Sequence, residues 1–266
     1  MKIGFIGAGN MAEAIIKGVL AVKVFKPEEI LISDIKKDRL DYLKGSCKVA
    51  VAADSKSLIE KADVIVIAVK PKDVDAVLSG LKSSLKKDTL IVSIAAGISI
   101  KYIEDKVYPG ASVIRVMPNT PALICEGMAA LSKGKNVSKS QLETAMKILG
   151  ATGKVVEVNE KYMDAVTAVS GSGPAYVFFF FEALSEAAVK LGLEKETADI
   201  LAFNTIYGAA KMVLETKEDP SSLRNKVTSP GGTTLAALKV FEKKGFKEIV
   251  FNAVKAASDR SKELTK

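Results

Sequence analysis

The chain opens on a short apolar run, Ile3-Gly4-Phe5-Ile6, which breaks at two glycines one residue apart and resumes with helical spacing. This pattern predicts a strand that turns tightly into a helix. Similar blocks follow. Glu29-Ile30-Leu31-Ile32-Ser33-Asp34 reads as a second strand, 37–44 as a helix closed by Gly45, and 48–51 as a weakly marked third strand. The runs at 63–69 and 89–94 are rich in β-branched residues, the pattern of strands covered on both faces by helices. Segments 72–86 and 99–107 fit crossover helices, and 112–117 gives another strand. The runs at 128–131 and 154–158 read as strands flanking a helix at 138–150. Strands alternating with helices predict a doubly wound, mostly parallel sheet.

Past Asn159 no convincing strand follows. Segments 160–169, 174–191, 194–216, 221–228, 232–244 and 246–264 read as helices, punctuated by Gly192, Pro220 and other Gly and Pro residues. The expected division is therefore 1–159, an α/β domain, and 160–266, an all-helical domain. The helix that starts at Pro174 is apolar on nearly every side through Tyr176-Val177-Phe178-Phe179-Phe180-Phe181. Such a helix must be buried, and one small helical domain offers limited cover. A second copy of the chain is the expected source of the rest.

Composition narrows the function. A chain of 266 residues with 48% hydrophobic content and a net charge of +8 belongs with soluble globular proteins. Its lysines are interleaved with acids, as in Lys36-Lys37-Asp38-Arg39, so the surface favours small anions and not nucleic acid. The longest apolar run is far short of the roughly 20 residues a membrane span needs, and no signal peptide precedes the first strand. Two cysteines, Cys47 and Cys125, point to a reducing cytoplasm, and with no histidine to activate them both read as buried core residues. The chain has no histidine at all. That excludes Ser-His-Asp and Cys-His catalysis, His-ligated metals, and any dehydrogenase that relies on an imidazole.

What remains is a chemistry of backbone and hydroxyls. Gly7-Ala8-Gly9-Asn10-Met11-Ala12 is a G-x-G-x-x-A dinucleotide fingerprint, and its strand and helix context makes a cofactor diphosphate the natural guest of the helix N-terminus. In a doubly wound sheet the cofactor groups collect at the carboxyl ends of the strands. Besides Gly7–Met11 these ends supply Ser33 and Asp34, then Ala68, Val69, Lys70 and Pro71, then Ala95, Ala96 and Gly97, then Asn119. Asp34 lies near the place where an acid holds the adenosine ribose and favours NAD. Ser33, Lys36 and Lys37 crowd the same corner and favour a 2′-phosphate, so NADP is the expected cofactor, with NAD also open.

Far down the chain, Ser229-Pro230-Gly231-Gly232-Thr233-Thr234 leads into a helix whose first turn carries two hydroxyls. Ser and Thr cap helices routinely, but two glycines exceed what a cap needs, and they open the N-terminus to an anion such as a carboxylate. Gly171-Ser172-Gly173-Pro174 begins its helix in a similar way, for the same pocket or for tight packing. Two Tyr-x-x-x-Lys pairs, Tyr102/Lys106 and Tyr207/Lys211, read as the chance product of lysine-rich helices.

Together these residues resemble the pyrroline-5-carboxylate reductase family. The matching pieces, in the family's order, are Phe5-Ile6-Gly7-Ala8-Gly9-Asn10-Met11, Ala68-Val69-Lys70-Pro71, Arg115-Val116-Met117-Pro118-Asn119-Thr120-Pro121-Ala122, Gly171-Ser172-Gly173-Pro174-Ala175-Tyr176 and Ser229-Pro230-Gly231-Gly232-Thr233-Thr234. The resemblance implies the last step of proline biosynthesis, reduction of L-1-pyrroline-5-carboxylate to L-proline by NADPH or NADH. It also implies a homo-oligomer of dimers with interlocked helical domains, often a decamer. In its terms Ser229, Gly231, Gly232 and Thr233 bind the substrate carboxylate, and the catalytic Thr234 hydroxyl hydrogen-bonds the ring nitrogen. Asp34 departs from the family, since several relatives carry a neutral residue there. A β-hydroxyacid dehydrogenase shares the layout but would place a lysine shortly after the turn at 171–173, where this chain has Tyr176-Val177-Phe178. A non-catalytic nucleotide sensor would have little use for Gly231-Gly232-Thr233-Thr234.

Overall fold

The structure, a computed structural model, describes residues 1–266. By packing, the chain forms two compact units. One is Met1–Ser172 together with Ala257–Lys266, and the other is Gly173–Ala256.

The first unit is built on eight strands: β1 Ile3–Ile6, β2 Ile30–Ser33, β3 Ala50–Val51, β4 Val64–Ile67, β5 Leu90–Ser93, β6 Ser112–Met117, β7 Gly127–Lys133 and β8 Gly153–Glu157. They lie in the order β3-β2-β1-β4-β5-β6-β7-β8, with every neighbouring pair parallel except β6 and β7. The strand order reverses between β1 and β4, which pair Ile3 with Val64 and Ile6 with Ile67. The helices of this unit are α1 Asn10–Ala21, α2 Lys37–Cys47, α3 Ser55–Lys61, α4 Val74–Ser84, α5 Ile100–Val107, α6 Lys139–Gly150 and α7 Met163–Val166.

The central strands feed two cores by alternation. Ile3, Phe5, Ile30, Ile32, Val64, Val66, Leu90 and Val92 face one way, against α1, α2 and α6. Ile6, Leu31, Ile65, Ile67 and Ile91 face the other, against α3, α4 and α5. Period-2 geometry with apolar residues on both faces is what a continuous β-branched run becomes when helices cover both sides of a sheet. The single antiparallel pair follows from length. Only residues 118–126 join β6 to β7, and a parallel crossover needs about a dozen residues or more.

Several expectations need correction. The chain between 51 and 63 has a helix, α3, that its short polar sequence conceals. Asp54 caps it, accepting the Ser57 N–H at 2.7 Å, and Leu58 and Ile59 drive it into the core. Helix α2 runs through Gly45 to Cys47 and ends on Lys48 at φ +58. Cys47 is buried as expected, but Cys125 is exposed, because it sits in left-handed backbone just after a 3₁₀ turn at Thr120–Ile124. The division expected between 159 and 160 falls where the strands end, yet residues 160–172 pack with the sheet. Glu160 Oε1 accepts the Ile100 N–H at 2.8 Å and pairs with buried Arg115 at 3.2 Å. Residues 257–266 return to the same unit, where Lys266 N–H donates to the Gly97 carbonyl at 2.7 Å.

The second unit is all helix: α8 Gly173–Lys190, α9 Lys195–Thr216, α10 Pro220–Lys226, α11 Thr233–Lys243 and most of α12 Phe246–Leu264. Helices α8 and α9 pack through Phe181 and Phe203, edge to face with ring centroids 5.2 Å apart. Of its residues only Ser185, Ala198 and Ala202 are buried. Phe178, Phe179 and Phe180 are exposed, Phe179 at 71%, as are Leu201, Met212, Leu214, Phe246 and Phe251. A unit this apolar with so little interior is not a finished fold by itself. No helix of the chain is long and apolar enough to cross a membrane.

Candidate active site

The carboxyl ends of β2, β1, β4, β5 and β6 lie side by side in the sheet, so the five sequence stretches expected to hold a cofactor share one edge. At its centre is the turn from β1 to α1. Gly7 has φ +102, and a Cβ there would stand 2.5 Å from the Ala68 carbonyl oxygen. Only glycine permits that backbone and that approach. The turn is tied on both sides: Gly7 N–H donates to the Ser33 carbonyl at 2.8 Å, and Ala68 N–H to the Ile6 carbonyl at 2.8 Å.

Gly9 is the cap residue of α1, in extended backbone, with no side chain capping the helix. The N–H groups of Asn10, Met11 and Ala12 find no partner in the chain. Gly9 and Asn10 are exposed, and a Cβ on Gly9 would meet nothing within 4 Å. Unpaired donors at the positive end of a helix, with open space above them, fit a diphosphate.

The other expected residues take different stations. Ser33 is buried, and its Oγ shares a hydrogen bond with Ser55 Oγ at 3.0 Å. Lys36 and Lys37 are exposed just beyond the end of β2, as is Ile35 at 97%. Lys70 is exposed at the start of the Pro71–Asp73 turn, with Ala68 and Val69 half-buried behind it. After β5, Ala96 is exposed while Ala95 and Gly97 are buried. Gly97 is covered by residues 264–266. Asn119 is fixed at both ends of its amide: Oδ1 accepts the Met128 N–H at 2.8 Å, and Nδ2 reaches Ser170 Oγ at 3.4 Å.

Sequence reasoning missed the side chains that hold the turn from outside. Arg39, on α2, donates from Nε to the Ala8 carbonyl at 2.9 Å and from Nη2 to Glu13 Oε2 at 2.6 Å. Partial burial alone would raise the Glu13 carboxyl, but hydrogen bonds from Lys17, Arg39 and Tyr42 outweigh it and bring its pKa down to about 2. The available signal was an acid in the first turn of α1 together with Arg39, five residues beyond Asp34. Ser55, the partner of Ser33, was hidden with the α3 it begins. Gly171 packs rather than binds, since a Cβ there would collide with Met117 Cε. Tyr102 is likewise occupied, its hydroxyl donating to Asp75 Oδ1 at 2.5 Å.

In the helical unit, the turn at Ser229–Gly232 closes with Gly232 N–H on the Ser229 carbonyl at 3.1 Å, and Gly231 takes φ +73. Gly232 caps α11 without any side-chain hydrogen bond. The hydroxyls of Ser229, Thr233 and Thr234 make no hydrogen bond within the chain, so none of them serves as the helix cap. Like α1, α11 is thus headed by a glycine in extended backbone and left with free donors, here ringed by free hydroxyls.

A family model described as pyrroline-5-carboxylate reductase dimerisation matches residues 160–264, and one described as NADP oxidoreductase coenzyme F420-dependent matches residues 2–97. The chain is 44% identical over 266 residues to the pyrroline-5-carboxylate reductase of Synechocystis, covering 100% of this chain and 99% of that one. It belongs to the pyrroline-5-carboxylate reductase family. The solved structure of the family's Coxiella burnetii member superposes with a TM-score of 0.94 at 41% identity, covering 100% of this chain and 98% of that one. The Plasmodium falciparum member, solved with NADP bound, superposes at 0.90 with 34% identity and the same coverage. The family's dimerisation domain is thus the part of this chain whose apolar helices lie exposed in a single copy.

Proposed function

We propose that the protein reduces L-1-pyrroline-5-carboxylate to L-proline, with NADPH as the preferred reductant and NADH as a second donor. When bound, the reduced nicotinamide supplies the hydride, which goes to C5 of the ring. The observation that carries this reading is the pair of helix N-termini headed by a glycine in extended backbone, in a chain of this family: α1 at Gly9, beside the strand ends, and α11 at Gly232, among free hydroxyls. The substrate is a cyclic imine bearing a carboxylate, and its protonated form is already electrophilic. The protein therefore needs to supply position and field, and no histidine is required.

In this reading the N–H groups at the start of α1 hold the diphosphate, and Lys36 and Lys37 meet a 2′-phosphate. The N–H groups at the start of α11, with Ser229, Gly231, Gly232 and Thr233, bind the substrate carboxylate. The Thr234 hydroxyl orients the ring nitrogen by a hydrogen bond. The protein works as a homodimer or a larger ring of dimers, up to a decamer, whose copies cover Phe178, Phe179 and Phe180, and its setting is the cytoplasm.

The test is oxidation of NADPH and NADH, followed side by side with pyrroline-5-carboxylate, and with 3-hydroxyisobutyrate and NAD as the contrasting pair. Turnover of the imine with proline as product supports the proposal. Turnover of the hydroxyacid alone, or NADPH binding with no turnover of any imine, overturns it.

A further inference from the structure

An acid at the end of the second strand is ordinarily the partner of the adenosine ribose, and there it favours the nucleotide without a 2′-phosphate. In this chain that carboxylate is directed onto the backbone. Asp34 Oδ2 accepts the Ala8 N–H at 2.6 Å, and Oδ1 accepts the Lys36 N–H at 2.8 Å. The first of these bonds spans from the end of β2 to the turn after β1, where Arg39 Nε holds the Ala8 carbonyl at 2.9 Å from the other side. Both backbone polar atoms of one residue in the glycine-rich turn are therefore gripped by charged side chains. Hydrogen bonds of this charge-assisted kind are short and strong for their class.

The grip has a clear object. Gly7 is left-handed and Gly9 has no Cβ contact, so the turn has little side-chain packing of its own to define it. Ala8 is its only buried side chain between them. Fixing the Ala8 peptide fixes the direction of the free N–H groups that follow, at Asn10 and Met11.

We propose that Asp34 is a positioning residue for the diphosphate-binding turn and does not select between NADH and NADPH. Selection falls instead to the exposed Lys36 and Lys37. The inference rests on the cofactor reading above and assigns Asp34 a role that its place in the fold would not predict.

The test is equilibrium titration of the purified protein with NADPH and with NADH, read by nicotinamide fluorescence, for the wild type, D34A, D34N and K36A. Amide hydrogen exchange over residues 7–12 is followed in the same samples. D34A should weaken both nucleotides in parallel, by about tenfold, with their ratio held within about threefold and faster exchange in the turn. D34N keeps an oxygen for the Ala8 N–H and should retain most of the affinity for both. K36A should lose affinity for NADPH alone. A rise of about tenfold or more in the NADPH-to-NADH affinity ratio, in D34A or in the isosteric D34N, overturns the proposal. So does unchanged affinity for both nucleotides in D34A. A wild type that binds neither nucleotide removes the cofactor reading itself, and the proposal with it.

Discussion

Arg39 and Glu13 meet at 2.6 Å across the gap between α2 and α1, and the same guanidinium holds the Ala8 carbonyl at 2.9 Å. One side chain thus neutralises an acid in the first turn of the helix expected to receive a diphosphate and braces the turn leading into it. R39A should weaken NADPH binding by about tenfold, since a hydrogen bond to a charged group contributes about 1.5–3 kcal/mol. R39K should not restore it, because an ammonium lacks the fork that reaches both partners at once. Binding isotherms for the two variants decide the matter, and full rescue by lysine would reject the bracing role.

The same cluster gives acid sensitivity a direction. Glu13 has an ordinary pKa of 4.5 and a folded value of about 2, so its contribution to stability is complete above 4.5 and fades as the pH falls toward 2. Melting temperatures of the wild type and E13Q, compared from pH 6 down to pH 2.5, should differ most at the upper end and converge at the lower. A gap that stays constant with pH would contradict this assignment.

Gly7 and Gly9 are two residues apart and should respond differently to alanine. G7A forces φ +102 on a residue with a Cβ and drives that atom to 2.5 Å from the Ala68 oxygen. It should cost about 1–3 kcal/mol of stability. G9A meets no atom within 4 Å and has ordinary backbone, so its melting temperature should match the wild type. Its methyl nevertheless enters the space above the helix N-terminus, and NADPH affinity should fall by about tenfold or more. Calorimetry paired with nucleotide titration separates the two effects, and a G9A protein that binds normally would show that the space is not used.

Thr234 is half-buried with its hydroxyl unpartnered, at the start of an uncapped helix. T234A should lower kcat/KM for pyrroline-5-carboxylate by about 10- to 100-fold, the range for losing one hydrogen bond to a charged group. NADPH affinity should be unchanged, and T234S should recover most of the rate. An alanine variant with unaltered kcat/KM would remove Thr234 from the chemistry.

The strands and the turn between β1 and α1 were legible in the sequence because both are written locally. Val64, Ile65, Val66 and Ile67 announce a strand covered on both faces, and Gly7 with Gly9 announces the turn. Helix α3 was not legible, since Ser55-Lys56-Ser57 reads as loop until Asp54 is seen capping it. The antiparallel β7 depends on the length of a connection and not on any residue in the strand. The grip of Arg39 and Asp34 on Ala8 was hidden for a different reason. It joins residues 31 and 26 positions apart through backbone atoms, which no side-chain pattern records. Cys125 was misplaced because its burial is set by a left-handed turn at its own position.

The near absence of buried residues between Gly173 and Ala256 makes protein concentration a structural variable. A segment that completes its interior with another copy is stabilised by mass action, so its melting temperature climbs with the amount of protein present. Dilution then acts as a denaturant, and a cell making too little of this chain would lose more activity than the shortfall in copies alone accounts for.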